Sequence, residues 1–567
     1  MVAEVVMRFL AVVVAGSMAA AGITVNSAML LYKSETDCVF IALGIKESCP
    51  CAIDEQYVQF PQLFHLDEWE TCLARPGALY CLGTFSIKPL SDPHPTYELI
   101  MEYSMDPHHF NRTQLHRGYC VSSRCSDVTG GSPSRRFQRC TSQQLQRFRL
   151  RAQLTELSYC RSHAQHKALS NISSSVDTPH RVFLYAIAAI VLLNVVGTVY
   201  DVNTKSDRKL RVVTSWSLVS NWQHLKSPFP AGDPRLDTLL PVEAFRVIMV
   251  VLVVFVHAGC LHNILYLQNP QYVEQMSHRP VMMLLQNGSS SIQMLLLLSS
   301  FFLADSLLQA PQPPSFILLP KLILKRIFRI APVYILVMGF SATWWPLTRD
   351  GPMWPMLVGR ESDICRRKFW PNVFFLQNFI QPELMCQWQT WFLAVDMQLY
   401  VVGCFVMLCV SRMRDRALQV LGSGFVCAVL LNLCRAYLND WKSLMFDSMP
   451  NNIRNKFEST PSFSQYYTHP CGSLPAALLG LFVAHLLHHL RDTGFKPQEH
   501  KADGQSAAVT KNKGYLQHMF SWRGWFTLGG RLHSDDVPVV PGGGARHADG
   551  GTALPEALLC PHGLVLY

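Results

Sequence analysis

Seven apolar runs most constrain what this chain can fold into; they cover residues 182–200, 245–257, 292–308, 330–345, 391–410, 418–437 and 471–490. Runs that approach 20 residues match the thickness of a bilayer's hydrocarbon core, and a helix satisfies every backbone group there. Composition agrees, because 49% of the residues are hydrophobic and only 16% are charged. The sequence therefore predicts an all-α polytopic membrane protein of about seven spans, and a single soluble domain would fit it poorly.

Basic residues indicate how these spans are oriented. The net charge of +10 could suggest a nucleic-acid partner, but Lys and Arg collect in the loops after the first, third and fifth spans. Cytosolic loops of membrane proteins carry this excess. We therefore expect no nucleic-acid partner. We expect the segment before the spans to be lumenal or extracellular, in the endoplasmic reticulum or the plasma membrane.

The part of the chain before the first span is polar and rich in cysteine. Residues 1–26 carry a short apolar run after Arg8, which predicts a signal peptide or, alternatively, an uncleaved anchor. Residues 27–180 follow as a small, α-rich module. Its cysteines lack the spacing of metal ligands and predict a disulfide framework of unknown connectivity, with an odd number of members. They are Cys38, Cys49, Cys51, Cys72, Cys81, Cys120, Cys125, Cys140 and Cys160.

Three sequons and the C-terminal tail complete this organisation. Asn111, Asn171 and Asn287 each begin an Asn-x-Ser/Thr motif and are glycosylation candidates on the lumenal side. Residues 491–567 contain no run long enough to span, and their Gly-rich part predicts a disordered cytosolic tail. The three histidines that close the last span have no nearby carboxylate or cysteine, so no metal site is expected.

One apolar helix carries the residues that suggest chemistry. Arg246 and His257 are eleven positions apart, hence on nearly the same face and about 16 Å apart. The spacing puts Arg246 at the cytosolic surface and His257 near the membrane midplane, where an ionisable group indicates function. Arg326 and Arg329 add two cations at the same surface, and guanidinium groups grip phosphates well. The simpler interpretations are that His257 ends a helix or bonds a neighbour, and that the cations only anchor the spans.

These motifs resemble a known family. Arg246 and His257, followed by Arg326-Ile-Phe-Arg329, resemble the R-x10-H and RxxR signatures of the membrane acyltransferase 3 family. The order of further motifs resembles the nose resistant to fluoxetine group of that family, over roughly residues 35–490. These motifs include Trp69-Glu-Thr-Cys72, Gly118-Tyr-Cys120, Leu376-Gln-Asn378-Phe379 and Thr390-Trp391-Phe392-Leu393-Ala394-Val395-Asp396-Met397-Gln398.

The resemblance implies an integral membrane O-acyltransferase. His257 would be catalytic, and Arg246, Arg326 and Arg329 would bind acyl-CoA as co-substrate, with no bound cofactor and with a lipid or glycan as acceptor. Asp396 and Gln398 either orient that acceptor or form helix-packing hydrogen bonds, and a carboxylate at this position could also pair with an arginine. The family continues with further spans, so residues 181–490 are expected to be a partial acyltransferase domain, and an inactive fragment is one interpretation. The other alternative is a protein that transports or takes up lipids or hydrophobic ligands through the same cavity.

Overall fold

The structure is a computed structural model that describes residues 57, 59–169, 176–205, 209–226, 234–279, 288–310, 315–413, 416–442, 449–458 and 460–493. Nearly all of these residues belong to one compact unit, residues 52–488. Several predictions lie outside the described residues. They concern the N-terminal signal or anchor, most of the C-terminal tail, Cys38, Cys49, Cys51, Asn171 and Asn287.

The N-terminal domain is built on a four-stranded sheet. Its strands are β1 (Phe64–Leu66), β2 (Leu79–Pro89), β3 (Gln114–Cys120) and β4 (Leu150–Ser162). They are ordered β1-β3-β2-β4; β1 runs parallel to β3, and the other neighbours are antiparallel. Five helices surround the sheet: α1 (Trp69–Leu73), α2 (Pro95–Met105), α3 (Val121–Arg124), α4 (Pro133–Leu145) and α5 (His163–Leu169).

The prediction of an α-rich module missed this sheet, and the burial of the strands explains why. β2 lies in the middle of the sheet, and its residues are buried on both faces over most of its length. Such a strand lacks the apolar–polar alternation that identifies strands in a sequence. Helix α4 covers one face, where the rings of Phe137 and Phe85 lie 4.8 Å apart.

Disulfides join the elements of this domain. The bonds are Cys72–Cys120, Cys81–Cys160 and Cys125–Cys140, so six of the nine candidate cysteines are paired. Cys81–Cys160 links β2 to β4, and Cys125–Cys140 fastens α4 to the turn after α3. A fourth disulfide, Cys365–Cys386, lies in the membrane domain, outside its candidate spans. The predicted disulfide framework is confirmed for these residues.

The rest of the described chain is helical. Its helices are α6 (Thr178–Asn203), α7 (Arg211–Thr214), α8 (Leu218–Lys226), α9 (Pro234–Ile264), α10 (Pro270–Ser277), α11 (Ser289–Leu308), α12 (Leu319–Ala342), α13 (Arg360–Arg367), α14 (Phe369–Val373), α15 (Trp391–Val410), α16 (Ala417–Leu438), α17 (Pro450–Arg454) and α18 (Pro470–Asp492).

Six described helical segments are long and apolar enough to cross a bilayer. They are Thr178–Asn203, Val242–Leu261, Ser289–Leu308, Trp388–Val410, Ala417–Leu438 and Ser462–Asp492. The predicted span 330–345 instead belongs to α12, which begins at Leu319 and ends at Ala342. α12 is not one of the six candidate spans, because its first half carries four basic residues. Lys and Arg are good helix formers, so the helix continues through them beyond the apolar run.

Helices α11 and α15 form the interior of the membrane domain. About 60% of the α11 span is buried, whereas the span on α9 is 6% buried. α11 contacts both α9 and α15, and α15 also contacts α12. Gly480 lets α18 approach α11, because a Cβ at this position would lie 2.3 Å from the carbonyl oxygen of Leu297.

Candidate functional site

His257 lies in the last third of α9, the helix that carries its candidate membrane span. It precedes Ile264, the last residue of α9, by seven positions, or about 10 Å along the helix axis. The chain after α9 leads to Tyr266 and Leu267, which are buried in the core of the N-terminal domain. The depth of His257 in the bilayer stays a prediction.

The backbone determines which nitrogen of His257 carries the proton. Nδ1 lies 2.8 Å from the carbonyl oxygen of Val253, one turn earlier on α9. A carbonyl oxygen can only accept, so Nδ1 is the N–H donor, and Nε2 keeps its lone pair when the ring is neutral. The ring is partly buried and meets the indole of Trp388 edge to face, with 5.9 Å between centroids. The result is an imidazole with a defined tautomer in apolar surroundings.

The surroundings of His257 are an aromatic cluster. Its neighbours Val253 and Cys260 pack against buried rings that include Phe463 and Tyr467. The indole of Trp388 stacks on the ring of Phe457 with 5.8 Å between centroids. A cluster of this kind excludes water from the base while leaving Nε2 free to accept a proton.

Arg326 forms a polar cluster inside the bundle. Its Nη2 donates to Oδ2 of Asp396 at 2.5 Å and to Oγ of Ser299 at 2.7 Å, and Ser299 donates to Oδ1 of Asp396 at 2.8 Å. The guanidinium also lies over the ring of Tyr400 at 4.2 Å. The cluster joins α11, α12 and α15, and Ser299 sits halfway along α11. Of the three interpretations of Asp396, these contacts favour the one in which it pairs with an arginine.

Arg246 and Arg329 have different surroundings from Arg326. Arg246 is about half exposed, and its Nη1 lies 3.6 Å from a carboxylate oxygen of Glu243 on the same helix. Arg329 is exposed and has no hydrogen bond or ion pair to another described residue. Among the described residues the three arginines share no partner. Arg326 faces inward, and the other two remain accessible.

Gln398 is part of an amide pair. Its Nε2 donates to Oδ1 of Asn378 at 2.8 Å and to the carbonyl oxygen of Phe375 at 2.6 Å, and its Oε1 accepts from Asn378 at 3.0 Å. Asn378 also donates to the carbonyl oxygen of Thr468 at 3.1 Å. These bonds occupy the amide of Gln398 and favour a packing role. The sequence did not assign roles to Asn378 or Ser299, because their partners lie on other helices.

A wide groove of about 650 Å³ lies on the N-terminal domain, away from the acyl-transfer candidates. Its lining includes Asp67, Arg75, Ser122 and Arg124, and it contains none of the residues predicted to take part in acyl transfer. Burial raises the pKa of Asp67, but hydrogen bonds from His65, from the Arg124 guanidinium and from a backbone N–H outweigh that effect and lower the pKa to about 2. The groove is polar and charged, which suits a hydrophilic ligand better than a lipid tail.

Comparison with known proteins defines the class. Residues 241–497 match a family model described as an acyltransferase domain. This match includes most of α9 and continues through α18, and it covers His257 and all three arginines. The protein is thus a largely helical membrane protein in which residues 241–497 match an acyltransferase domain, as the resemblance of its motifs predicted.

A curated relative supports the same assignment. The chain is 37% identical to "Nose resistant to fluoxetine protein 6" of Caenorhabditis elegans over 83 residues, which are 14% of this chain and 10% of the relative. The chain therefore aligns with about a tenth of the length of that relative. No solved structure matches this chain.

Proposed function

We propose that this protein transfers an acyl group from acyl-CoA to a hydroxyl group of a lipid or glycan, with His257 as general base. The hydroxyl oxygen attacks the thioester carbon while Nε2 of His257 accepts the hydroxyl proton. The carbon–sulfur bond then breaks, and the departing thiolate takes that proton from the imidazolium. The products are an ester and CoA with a free thiol, and the histidine returns to its starting state.

The observation that carries this proposal is the Nδ1 contact of His257 with the Val253 carbonyl. It fixes the tautomer in which Nε2 is the base, and the aromatic cluster around the ring limits competition from water. The end of α9 that lies nearer to His257 leads to the N-terminal domain, which suits an acceptor that enters from that side. We infer that this side is lumenal or extracellular, as the distribution of basic residues predicts.

The donor would be held by the accessible arginines. Arg246 lies about 16 Å from His257 along the same helix face. An extended acyl-CoA molecule with a phosphate at Arg246 would therefore place its thioester at His257. Arg329 is exposed and can add a second guanidinium contact to phosphate. Arg326 would act differently: its bonds to Ser299 and Asp396 position helices around the site.

The experiment measures acyl transfer from radiolabelled acetyl-CoA in membranes that contain the full chain. His257→Ala is compared with His485→Ala, a matched control, because Nδ1 of His485 also faces the carbonyl four residues earlier, Leu481, on a spanning helix. We expect label in a lipid or glycan with the parent and the control, and none with His257→Ala. Equal label with His257→Ala would remove His257 as the base. Movement of lipid without any transfer would support the transport alternative.

A further inference from the structure

Two histidines and a carboxylate converge where the N-terminal domain meets the segment after α10. Asp106 follows α2, His109 lies three residues further on, and His278 follows α10. Nε2 of His278 lies 3.2 Å from Nε2 of His109 and 3.4 Å from Oδ2 of Asp106. The distance from Nε2 of His109 to the same Asp106 oxygen is 3.9 Å. One ligand atom from each of these three residues thus faces a common point.

The hydrogen bonds around the cluster leave lone pairs directed at that point. Nδ1 of His109 lies 3.0 Å from the carbonyl oxygen of Tyr103, so Nδ1 is the donor and Nε2 is free of a proton in the neutral ring. The other oxygen of Asp106, Oδ1, accepts from the backbone N–H of His108 at 2.8 Å and lies 3.0 Å from its Nδ1. Oδ2 is thereby left turned towards the two histidines.

The surrounding residues also fix the orientation of the rings. His109 stacks on Tyr103 with 3.9 Å between centroids and an angle of 11° between planes. The Tyr103 hydroxyl donates at 3.0 Å to Glu274, which is buried on α10 one turn before His278. Metal-binding histidines are commonly held by such outer contacts, with the second ring nitrogen donating to a backbone carbonyl.

The separations fit a tetrahedral ion. Zn²⁺ binds histidine nitrogen and carboxylate oxygen at about 2.0–2.2 Å, so neighbouring ligand atoms in a tetrahedral site lie roughly 3.3–3.6 Å apart. Two of the three separations here are within about 0.2 Å of that range, and the third exceeds it by about 0.3 Å. His278 is 44% exposed, so an ion can reach the site from solvent and water can complete its coordination.

We propose that Asp106, His109 and His278 bind one Zn²⁺ ion, which fastens the N-terminal domain to the segment after α10. The site is independent of the proposed acyl transfer, and it differs from the expectation of no metal. Sequence spacing could not reveal it, because His278 lies 169 residues from His109. A metal at this position would add to the buried contacts that already join the two regions.

The test uses the full chain, purified without a histidine tag, stripped of metal with a chelator and titrated with ZnCl₂ by calorimetry. His278→Gln and Asp106→Asn each remove one ligand. His166→Gln is the matched control, because His166 also lies beside a carboxylate, Asp350, at 3.5 Å and is 32% exposed. We expect one Zn²⁺ per chain in the parent and the control, and binding more than about 100-fold weaker in both ligand variants.

Co²⁺ provides a second readout, because its absorption spectrum reports tetrahedral nitrogen and oxygen ligands directly. We expect this spectrum with the parent and with His166→Gln, and its loss with Asp106→Asn. The proposal is overturned if the stripped parent binds no Zn²⁺. It is also overturned if Asp106→Asn, folded as judged by intact disulfides and circular dichroism, binds Zn²⁺ as tightly as the control. The cluster would then be a hydrogen-bonded histidine pair.

Discussion

Removal of the Glu274 side chain should loosen the contact between the N-terminal domain and α10. Glu274 is fully buried, and its Oε2 lies 3.1 Å from Nη2 of Arg112, which is 2% exposed. The same carboxylate accepts from the Tyr103 hydroxyl and from the backbone N–H of Phe110, each at 3.0 Å. Glu274→Ala therefore leaves one buried charge and two buried donors without this acceptor.

The magnitude follows from these three contacts. An uncompensated buried charge costs about 3–5 kcal/mol, and each orphaned donor adds about 1–3 kcal/mol. Because the groups share one site, their costs do not add fully, and we expect about 4–6 kcal/mol in total. If the free energy of local opening falls by that amount, the protection of the backbone amides from hydrogen exchange falls roughly a thousandfold or more.

Hydrogen exchange measured by mass spectrometry tests this on peptides that cover residues 100–115 and 270–278. Glu458→Ala is the control, because Glu458 pairs with Arg360 at the surface, where the side chains are 34% and 52% exposed. Such a pair is worth at most about 1 kcal/mol. The double variant Arg112→Met/Glu274→Met should lose less protection than Glu274→Ala, since it leaves no buried charge. Equal protection in Glu274→Ala and the control would refute the reasoning, as would a double variant less protected than Glu274→Ala.

Three further outcomes are expected. Because the pKa of Asp67 is lowered in the folded protein, the contribution of its carboxylate to the free energy of unfolding is present above the ordinary pKa of 3.8 and is lost as the pH falls towards 2. Hydrogen exchange of the N-terminal domain across that interval should show this loss, and Asp67→Asn should remove the pH dependence. The disulfide Cys81–Cys160 closes a separation of 79 residues, so Cys81→Ala/Cys160→Ala should lower the free energy of unfolding by roughly 2–4 kcal/mol in denaturant titrations, and a change below about 1 kcal/mol would contradict this. Asp396→Ala should destabilise the detergent-solubilised protein by about 3–5 kcal/mol in thermal unfolding, and Arg326→Met combined with Asp396→Leu should recover part of that loss; no recovery would contradict an ion pair between them.

The membrane part of the fold could be predicted because the bilayer imposes a simple rule on sequence. Each apolar run became part of a long helix, since a helix satisfies its own backbone hydrogen bonds. The limits of the helices were less predictable: α12 extends past its apolar run into Lys321 and Lys325, and the helix of His257 begins at Pro234. Hydropathy indicates which residues can face lipid, whereas the limits of a helix depend on the helix propensity of the residues at its ends.

Contacts between helices explain what the sequence could not predict. Arg326 and Arg329 look equivalent as a motif, yet Arg326 reaches Asp396, which is 70 residues away, while Arg329 stays exposed. Pairing of Asp396 with an arginine was one interpretation, but the sequence could not show which arginine, because the partner lies on a different helix. The sheet of the N-terminal domain was missed for a related reason, since β2 is buried on both faces and lacks alternation.

The most direct test of the central claim measures acyl transfer and acyl-CoA binding separately in His257→Gln and His485→Gln. A general base contributes about 10²–10⁴ to the rate, so His257→Gln should slow transfer by at least about 100-fold while donor affinity stays unchanged. The control should keep both properties, because His485 makes the same backbone contact without the proposed role. A transfer rate in His257→Gln equal to that of the parent would contradict the account.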